Sequence, residues 1–251
     1  MCTSIILFRK KHKWPLILAS NRDEFFTRKS KTPARHWANQ PYVTGGLDKF
    51  KGGTWCSVSD SGIISCIHNR NFKIKNFIAK KTRGEIILKI LRGKNTNEVK
   101  KILQSMDFSV YNGFNLVFGN NHNAFWVKYS TPKEKISINT IPEGISIITN
   151  SDLNDYNDKK IKYYIDEFSK IPSPDPEQNN WLSWERLLAH KFKEKQAKAM
   201  GSICFNINNN FGTVSSSIIS VKNKIEDNRS IIFRYTKGPP NISVYKNIKV
   251  L

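Results

Sequence analysis

The feature that most constrains this chain is a short apolar run that passes, without a turn residue, into consecutive polar side chains. Residues 16–19 (Leu-Ile-Leu-Ala) have the composition of a buried strand. The polar tetrad after Ser20 comprises Asn21, Arg22, Asp23 and Glu24. Alternate side chains of an extended segment point to opposite sides, so we expect Asn21 and Asp23 to share one side and the other two residues to share the opposite one. Charges at such a strand end need either ionic partners or a function.

A structural ion pair is the simplest explanation of the Arg-Asp-Glu sequence, and Cys2 is the residue that argues for a functional one. Residues 2–8 form another apolar run, and the basic segment 9–13 between the two runs predicts an antiparallel hairpin. Such a hairpin returns the start of the chain to the polar tetrad. If Met1 is removed, Cys2 carries both a thiol nucleophile and an α-amine base. The alternative is that Cys2 is a small buried apolar residue.

The composition fits one large domain, and we expect residues 1–251 to fold as a single unit with a substantial core. The chain has 41 Lys and Arg residues against 20 Asp and Glu residues, a net charge of +21. No single helix or aromatic-rich sheet carries this excess. The distribution therefore favours a solvated basic surface over a specific nucleic-acid site.

The cysteines give no sign of a metal site or a disulfide framework. Cys2, Cys56, Cys66 and Cys204 show none of the close spacings typical of zinc ligands. This pattern predicts a reducing compartment, hence a cytoplasmic protein. No apolar run approaches the roughly 20 residues that span a bilayer, so we expect a soluble protein without a transmembrane segment. The sequence does not predict an oligomeric state.

Periodicity and turn residues predict β-hairpins, two helices, strands, two more helices and final strands. The expected helices are 85–91, 99–106, 158–170 and 181–198. The expected later strands are 55–59, 63–68, 114–118, 124–129, 136–139, 145–149, 213–221, 231–236 and 242–250. This order suits an α+β fold, a four-layer αββα sandwich of two antiparallel sheets with a helix pair on each outer face.

Polar or glycine-rich segments between these elements are candidates for the site. We expect residues 26–51 to form a loop over the active face, followed by the tight turn Gly52-Gly53-Thr54-Trp55. Trp55 is placed to wall a pocket, although a purely structural hairpin explains the turn equally well. Two predicted strands end in polar clusters, which are His68-Asn69-Arg70 and Thr149-Asn150-Ser151-Asp152.

The motifs together resemble one known family. Asn21-Arg22-Asp23-Glu24 after a strand, Met1-Cys2 and Gly52-Gly53-Thr54-Trp55 are similar to motifs of the NRDE family, also called the transport and Golgi organisation protein 2 family. The resemblance extends over nearly the whole chain, through Thr82-Arg83-Gly84-Glu85, Asn112-Gly113-Phe114-Asn115-Leu116, Thr149-Asn150-Ser151 and Phe211-Gly212-Thr213. That family is similar in turn to N-terminal-nucleophile amidohydrolases of the choloylglycine type.

The resemblance implies a cysteine amidohydrolase acting on a non-peptide C–N bond of a small molecule or lipid. Cys2 would attack the carbonyl carbon, and Arg22 with either Asp23 or Glu24 would position it. If Arg22 is the nearest charge, the pKa of the Cys2 thiol should be lowered. The expected oxyanion-side residues are Asn69 and Asn150. We assign Asn21, Trp55 and His68 to substrate binding, and expect no metal and no cofactor.

A second hypothesis is a non-enzymatic carrier for haem or an acyl lipid on the same scaffold, since members of the family are linked to haem movement and lipid homeostasis. A Cys or His side chain could hold haem iron. His68 is the best placed of the five histidines for that role, although a hydrogen-bonded strand-end histidine is the simpler interpretation. A carrier has no need of an N-terminal cysteine, which favours the enzyme.

Overall fold

The computed structural model describes residues 2–70, 81–130, 135–193, 195, 201–227 and 229–251. Two antiparallel sheets lie face to face, and each carries two helices on its outer side. The predicted four-layer αββα sandwich is therefore confirmed.

The first sheet is built from both ends of the chain. Its strands are β1 (Thr3–Phe8), β2 (Leu16–Phe25), β10 (Gly144–Ile148), β11 (Asn206–Ile207), β12 (Phe211–Val221), β13 (Ile231–Thr236) and β14 (Lys246–Ile248). The order across the sheet is β10-β1-β2-β12-β13-β14, with β11 paired to β12. Strand β12, from the C-terminal part of the chain, thus lies beside β2, which carries the polar tetrad.

The second sheet is a meander from the middle of the chain. Its strands are β3 (Ser30–Ala34), β4 (Val43–Asp48), β5 (Cys56–Ser59), β6 (Ile64–Asn69), β7 (Phe114–Gly119), β8 (Ala124–Tyr129) and β9 (Ser137–Thr140), hydrogen-bonded in sequence order. The helices are α1 (Gly84–Ile90), α2 (Thr96–Ser105), α3 (Lys159–Lys170) and α4 (Leu182–Leu188). None of the helices described is long and apolar enough to cross a membrane.

Three apolar clusters hold the layers together. The alternating side chains of each strand supply two of them, one on each face. Ile6, Leu18 and Val58 belong to the cluster between the sheets. Ile5 and Ala19, one position away from Ile6 and Leu18, belong instead to the cluster under α3 and α4. The third cluster joins the second sheet to α1 and α2.

The β1–β2 hairpin fixes the position of the N-terminus. Thr3 pairs with Asn21 and Phe8 with Leu16, so the predicted hairpin is confirmed. On the other side of β2, the pairing with β12 shifts register between Thr213 and Ser215. Such a bulge bends a strand and redirects its side chains. Here it lies opposite the polar tetrad.

Three predicted elements are wrong or shorter than expected. Residues 26–51 are not a loop, because they contain β3 and β4. Gly45 and Gly46 lie within β4: a Cβ added at Gly45 would lie 2.0 Å from Ser57 Oγ, and one added at Gly46 would lie 2.3 Å from the Trp55 ring. Helix α4 ends at Leu188, and part of the predicted extension to 198 lies outside the described residues. Of the strand predicted over 242–250, the structure forms only β14.

The turn between β4 and β5 packs backbone against backbone on the start of α1. A Cβ on Gly53 would lie 2.6 Å from the Gly84 carbonyl carbon, whereas Gly52, at φ +72°, has open space around it. We expect Gly53→Ala to destabilise the protein by about 1–3 kcal/mol through overpacking. Gly52→Asn should cost much less, since asparagine tolerates the left-handed region. Thermal unfolding of both variants checks this, and equal losses would contradict it.

Candidate active site

A cavity of about 280 Å³ opens at the end of the sandwich where β2 and β6 finish. Its lining brings together residues that are far apart in the sequence. They are Cys2, Arg22, Asp23, Glu24, Phe25, Arg28, Asp48, Gly53, Thr54, Trp55, Ile67, Asn69, Thr82, Arg83 and Gly84. Six of the nine predicted site residues are among them, and Asn21, His68 and Asn150 are not.

Cys2 lies against the main chain of Asp23. Its Sγ is 3.4 Å from the Asp23 amide nitrogen, which donates to it, and 3.7 Å from the Asp23 carbonyl oxygen. Burial raises the pKa of the Cys2 thiol, and the Asp23 carboxylate raises it further, whereas Arg22 has only a small lowering effect. The predicted fall in the thiol pKa is therefore wrong. A thiol of this kind would need a base to take its proton before it could act as a nucleophile.

Asp23 is the acid beside Cys2. Its side chain leaves β2 on the side of α3, where its Oδ1 accepts a hydrogen bond of 2.7 Å from Thr213 Oγ1. Burial raises the pKa of Asp23, and the Lys160 ammonium on α3 and the Thr213 hydroxyl oppose that rise. Thr213 sits at the register shift of β12, so the bulge places this donor.

Arg22 and Glu24 point to the other side of β2, as the alternation predicts. The Arg22 guanidinium lies 4.3 Å from the centre of the Trp55 ring and 3.8 Å from the Glu24 carboxylate. Glu24 also pairs with Arg28 at 3.5 Å. The two acids therefore have different surroundings: Asp23 neighbours Cys2, and Glu24 forms ion pairs with Arg22 and Arg28.

Sequence reasoning missed two further cations of the cavity. Arg28 pairs with Asp48 at 2.6 Å, and the Nη1 of Arg83 donates to the Gly113 carbonyl at 2.9 Å. Burial lowers the pKa of Arg83, which opens α1. Arg83 could have been found, since it belongs to the quoted Thr82-Arg83-Gly84-Glu85 motif. Arg28 follows the tetrad in a segment predicted to be a loop and carried no signal of its own.

His68 lies beneath the cavity instead of lining it. Its Nε2 is 2.8 Å from Ser4 Oγ and its Nδ1 is 3.1 Å from the Cys2 carbonyl oxygen. Burial lowers the pKa of His68 to about 4, so the ring is neutral, and the carbonyl requires Nδ1 to carry the proton. Nδ1 thus holds Cys2 and Nε2 is engaged with Ser4, which leaves no free nitrogen for a substrate or for haem iron.

Asn21 is also engaged elsewhere. The side chain is fully buried, and its amide donates to the carbonyl oxygens of Leu188 and Ile203, each at 2.9 Å. These bonds tie β2 to the end of α4 and to the segment before β11. The predicted contact with substrate is incompatible with that position, which faces the helices.

The two predicted oxyanion-side asparagines differ in placement. Asn69 ends β6 and lines the cavity. Asn150 follows β10 at the same end of the sandwich, and the carbonyls on either side of it, Thr149 and Ser151, accept hydrogen bonds of 3.1 and 2.7 Å from the Asn115 amide. Asn115 in turn accepts from Arg70 at 3.0 Å. This network joins the two sheets and links the residues on either side of Asn150 to Arg70, the residue that follows Asn69.

A metal site is not evident in the part of the chain that the structure describes. No three His, Cys, Asp or Glu side chains among these residues are grouped so that they could hold an ion.

Solved structures of similar fold include an acid amidase, a bile acid hydrolase and a penicillin acylase. A Caenorhabditis elegans N-acylethanolamine-hydrolyzing acid amidase ortholog matches with a TM-score of 0.51 and 12% identity, covering 87% of this chain and 92% of that one. A variant of the conjugated bile acid hydrolase from Clostridium perfringens gives 0.52 and 13%, covering 99% and 97%. Penicillin V acylase from Agrobacterium tumefaciens gives 0.51 and 8%, covering 100% and 87%. The fold is therefore that of the N-terminal-nucleophile hydrolases.

The chain belongs to the Transport and Golgi organisation 2 family, whose model matches residues 1–233. A human relative, Transport and Golgi organization protein 2 homolog, is 37% identical over 112 residues, which are 43% of this chain and 39% of the human protein. The Drosophila melanogaster protein is 49% identical over 51 residues, 19% of this chain and 18% of that protein. The alignments thus span well under half the length of these relatives.

The different surroundings of Asp23 and Glu24 predict different effects of their isosteric amides. Asp23→Asn removes a negative charge that raises the pKa of the Cys2 thiol, so the pH midpoint of thiol labelling should fall. It should also raise the melting temperature at neutral pH, because a buried carboxylate is replaced by a neutral group. Glu24→Gln should leave the midpoint unchanged and lower the melting temperature slightly. Identical effects would favour a structural ion pair.

The lowered pKa of the buried His68 predicts that folding stability decreases at acid pH. Its pKa is about 4 in the folded protein against 6.5 for the free side chain, so the unfolded chain binds the proton first as the pH falls. Folding stability should decrease by about 3 kcal/mol between pH 6.5 and pH 4 from this group alone. In His68→Gln, chemical denaturation should show that this part of the pH dependence is lost. The exposed His122→Gln is the control, and an unchanged slope in His68→Gln would contradict the assignment.

Proposed function

We propose that the protein is a cysteine N-terminal-nucleophile hydrolase that cleaves a non-peptide amide bond of a small molecule or lipid. The observation that carries the proposal is the position of the Cys2 thiol, at the cavity lining and 3.4 Å from the main chain of Asp23. The hydrolase-like scaffold supports the same assignment.

The reaction begins after removal of Met1, when the α-amine of Cys2 is free. This amine takes the thiol proton as Sγ attacks the carbonyl carbon of the amide. The negative charge moves to the carbonyl oxygen, and the C–N bond then breaks as the amine returns the proton to the leaving nitrogen. A water molecule attacks the resulting thioester, releasing a carboxylic acid and regenerating the thiol.

Each neighbour of Cys2 has a role in this scheme. Asp23 orients the α-amine and favours its charged form, and His68 fixes the main chain of Cys2 through its carbonyl oxygen. Arg22, which lies over the Trp55 ring, offsets the negative charge that develops beside it. Asn69, which lines the cavity, is our first candidate for the oxyanion donor, and Asn150 is the second.

The nucleophile is tested by intact mass and by an activated amide probe. We expect a chain that lacks Met1 and gains one acyl group, and that gain should be absent from Cys2→Ala. Cys204→Ala, which removes a buried cysteine outside the cavity, is the matched control and should acylate like the wild type. Retention of Met1, or acylation of Cys2→Ala at the wild-type rate, would refute the proposed mechanism.

Removing an oxyanion donor separates the enzyme from the carrier. We expect Asn69→Ala or Asn150→Ala to slow acylation of Cys2 on the order of a hundredfold, which is typical for loss of one such donor. Equilibrium binding of the same probe should weaken far less, because its apolar part still contacts Trp55. If both variants acylate at the wild-type rate while haem or lipid binding is lost, the carrier hypothesis is correct.

A further inference from the structure

The mouth of the cavity carries large apolar side chains that face solvent. Phe50 is 73% exposed and Phe25 is 49% exposed. Phe50 lies in the turn after β4, and Phe25 is the last residue of β2. Single exposed aromatic residues are ordinary, but a contiguous group of them beside a ligand cavity is typical of a binding surface.

Strand register extends this group across the first sheet. Ile207 is paired with Phe211, and Phe211 is paired with Phe25, so the three residues form one row on the same face. The rings of Phe25 and Phe211 are 5.1 Å apart, and Ile207 is 54% exposed. We call Phe25, Phe50, Ile207 and Phe211 the apolar rim.

The apolar rim is continuous with the active-site cavity. Phe25 and Phe50 line a groove of about 510 Å³, and this groove shares Glu24, Phe25 and Arg28 with the lining of the cavity. A molecule that leaves the cavity on this side therefore passes directly over the apolar rim.

The charge around the rim is positive. The exposed lysines closest to it in the sequence are Lys29, Lys31, Lys49 and Lys51. Lys29 and Lys49 line the groove, and Lys51 Nζ lies 4.9 Å from the centre of the Phe50 ring. The two acids at this edge, Glu24 and Asp48, are both paired with Arg28. The lysines thus face solvent without a compensating carboxylate from the groove lining.

We propose that this end of the sandwich docks on an anionic phospholipid surface. Phe50 and Phe25 would enter the interfacial region, and Lys29, Lys49 and Lys51 would lie among the lipid phosphates. Aromatic side chains flanked by lysines suit this boundary, because the rings leave water while the ammonium groups stay hydrated. Each lysine near such a surface adds to the attraction, and the net charge of +21 steers the protein toward it.

Docking does not depend on the chemistry of Cys2. If the protein is the proposed hydrolase, docking would place the mouth of the cavity against the bilayer. An amphiphilic amide could then enter the cavity from the membrane without crossing water. The two ideas therefore fail separately: Cys2→Ala should bind vesicles like the wild type even though it cannot be acylated.

Vesicle co-sedimentation tests the proposal with the full chain. Vesicles of phosphatidylcholine and phosphatidylserine should bind the wild type, and pure phosphatidylcholine vesicles should bind it much less. The double variant Lys49→Glu, Lys51→Glu should lower the partition coefficient at least about tenfold, since two lysine contributions are lost. Phe50→Ser should lower it by a similar factor through loss of the inserted ring. Because all three side chains are exposed, these variants should fold.

Matched controls lie at the other end of the molecule. Lys10→Glu, Lys11→Glu makes the same change in net charge in the β1–β2 turn, and both residues are exposed. Leu182→Ser removes an apolar side chain that is 51% exposed on α4. Both controls should bind anionic vesicles at close to the wild-type level.

The outcomes distinguish the membrane from other occupants of the rim. Equal losses in the two lysine pairs would mean that diffuse charge alone binds the vesicles, and would overturn the proposal. So would a concentration-dependent dimer that Phe50→Ser dissociates, with no vesicle binding. Loss of acylation by a short water-soluble amide in Phe50→Ser, with vesicle binding unchanged, would assign the rim to the substrate itself and would also overturn it.

Discussion

The pairing of β1 with β2 is the interaction on which the rest of the site depends. It is a short-range hairpin, yet it places the first residues of the chain beside the polar end of a strand that is buried from Leu16 to Asp23. From there the main chain of Asp23 contacts the Cys2 thiol, and His68 holds the Cys2 carbonyl from the opposite sheet. Each of these contacts would be lost by a one-residue slip, because a slip moves every side chain of β2 to the other face.

The titratable groups of the site are buried, and burial disfavours their charged forms. Burial raises the pKa of both Cys2 and Asp23 and lowers the pKa of His68. Each shift marks a folding cost that packing alone does not explain, and groups of this kind collect at functional sites. The apolar clusters on both sides of the first sheet supply the stability that lets these groups remain buried.

Much of the fold was predictable because it rests on local patterns. Alternation along β2 predicted that Arg22 and Glu24 would oppose Asn21 and Asp23, and the basic turn predicted the hairpin. The four-layer order followed from the succession of strands and helices. β3 and β4 were missed because their proline, glycine and charged residues resemble those of a loop. The two glycines of β4 in fact leave space for the side chains of Ser57 and Trp55.

The site was predictable only where a motif is contiguous. Arg22, Asp23, Glu24, Trp55 and Asn69 lie at the cavity. No local signal shows that Asn21 and His68 face inward, since their burial depends on partners distant in the sequence. Nor could the sequence decide between Asp23 and Glu24. In the structure it is the main chain of Asp23 that lies beside Cys2, and Thr213, which donates to the Asp23 carboxylate, is 190 residues away in the sequence.

The long sequence separation between Asp23 and Thr213 has a consequence for folding during synthesis. Synthesis runs from the N-terminus, so Cys2, Asp23 and His68 emerge long before β12, which must insert between β2 and β13. Until then β2 lacks one neighbour, and Asp23 lacks the Thr213 hydroxyl. The Cys2 thiol therefore has its mature surroundings only when nearly the whole chain has left the ribosome. A truncated product that stops before β12 would carry Cys2 without the partner that completes the site around it.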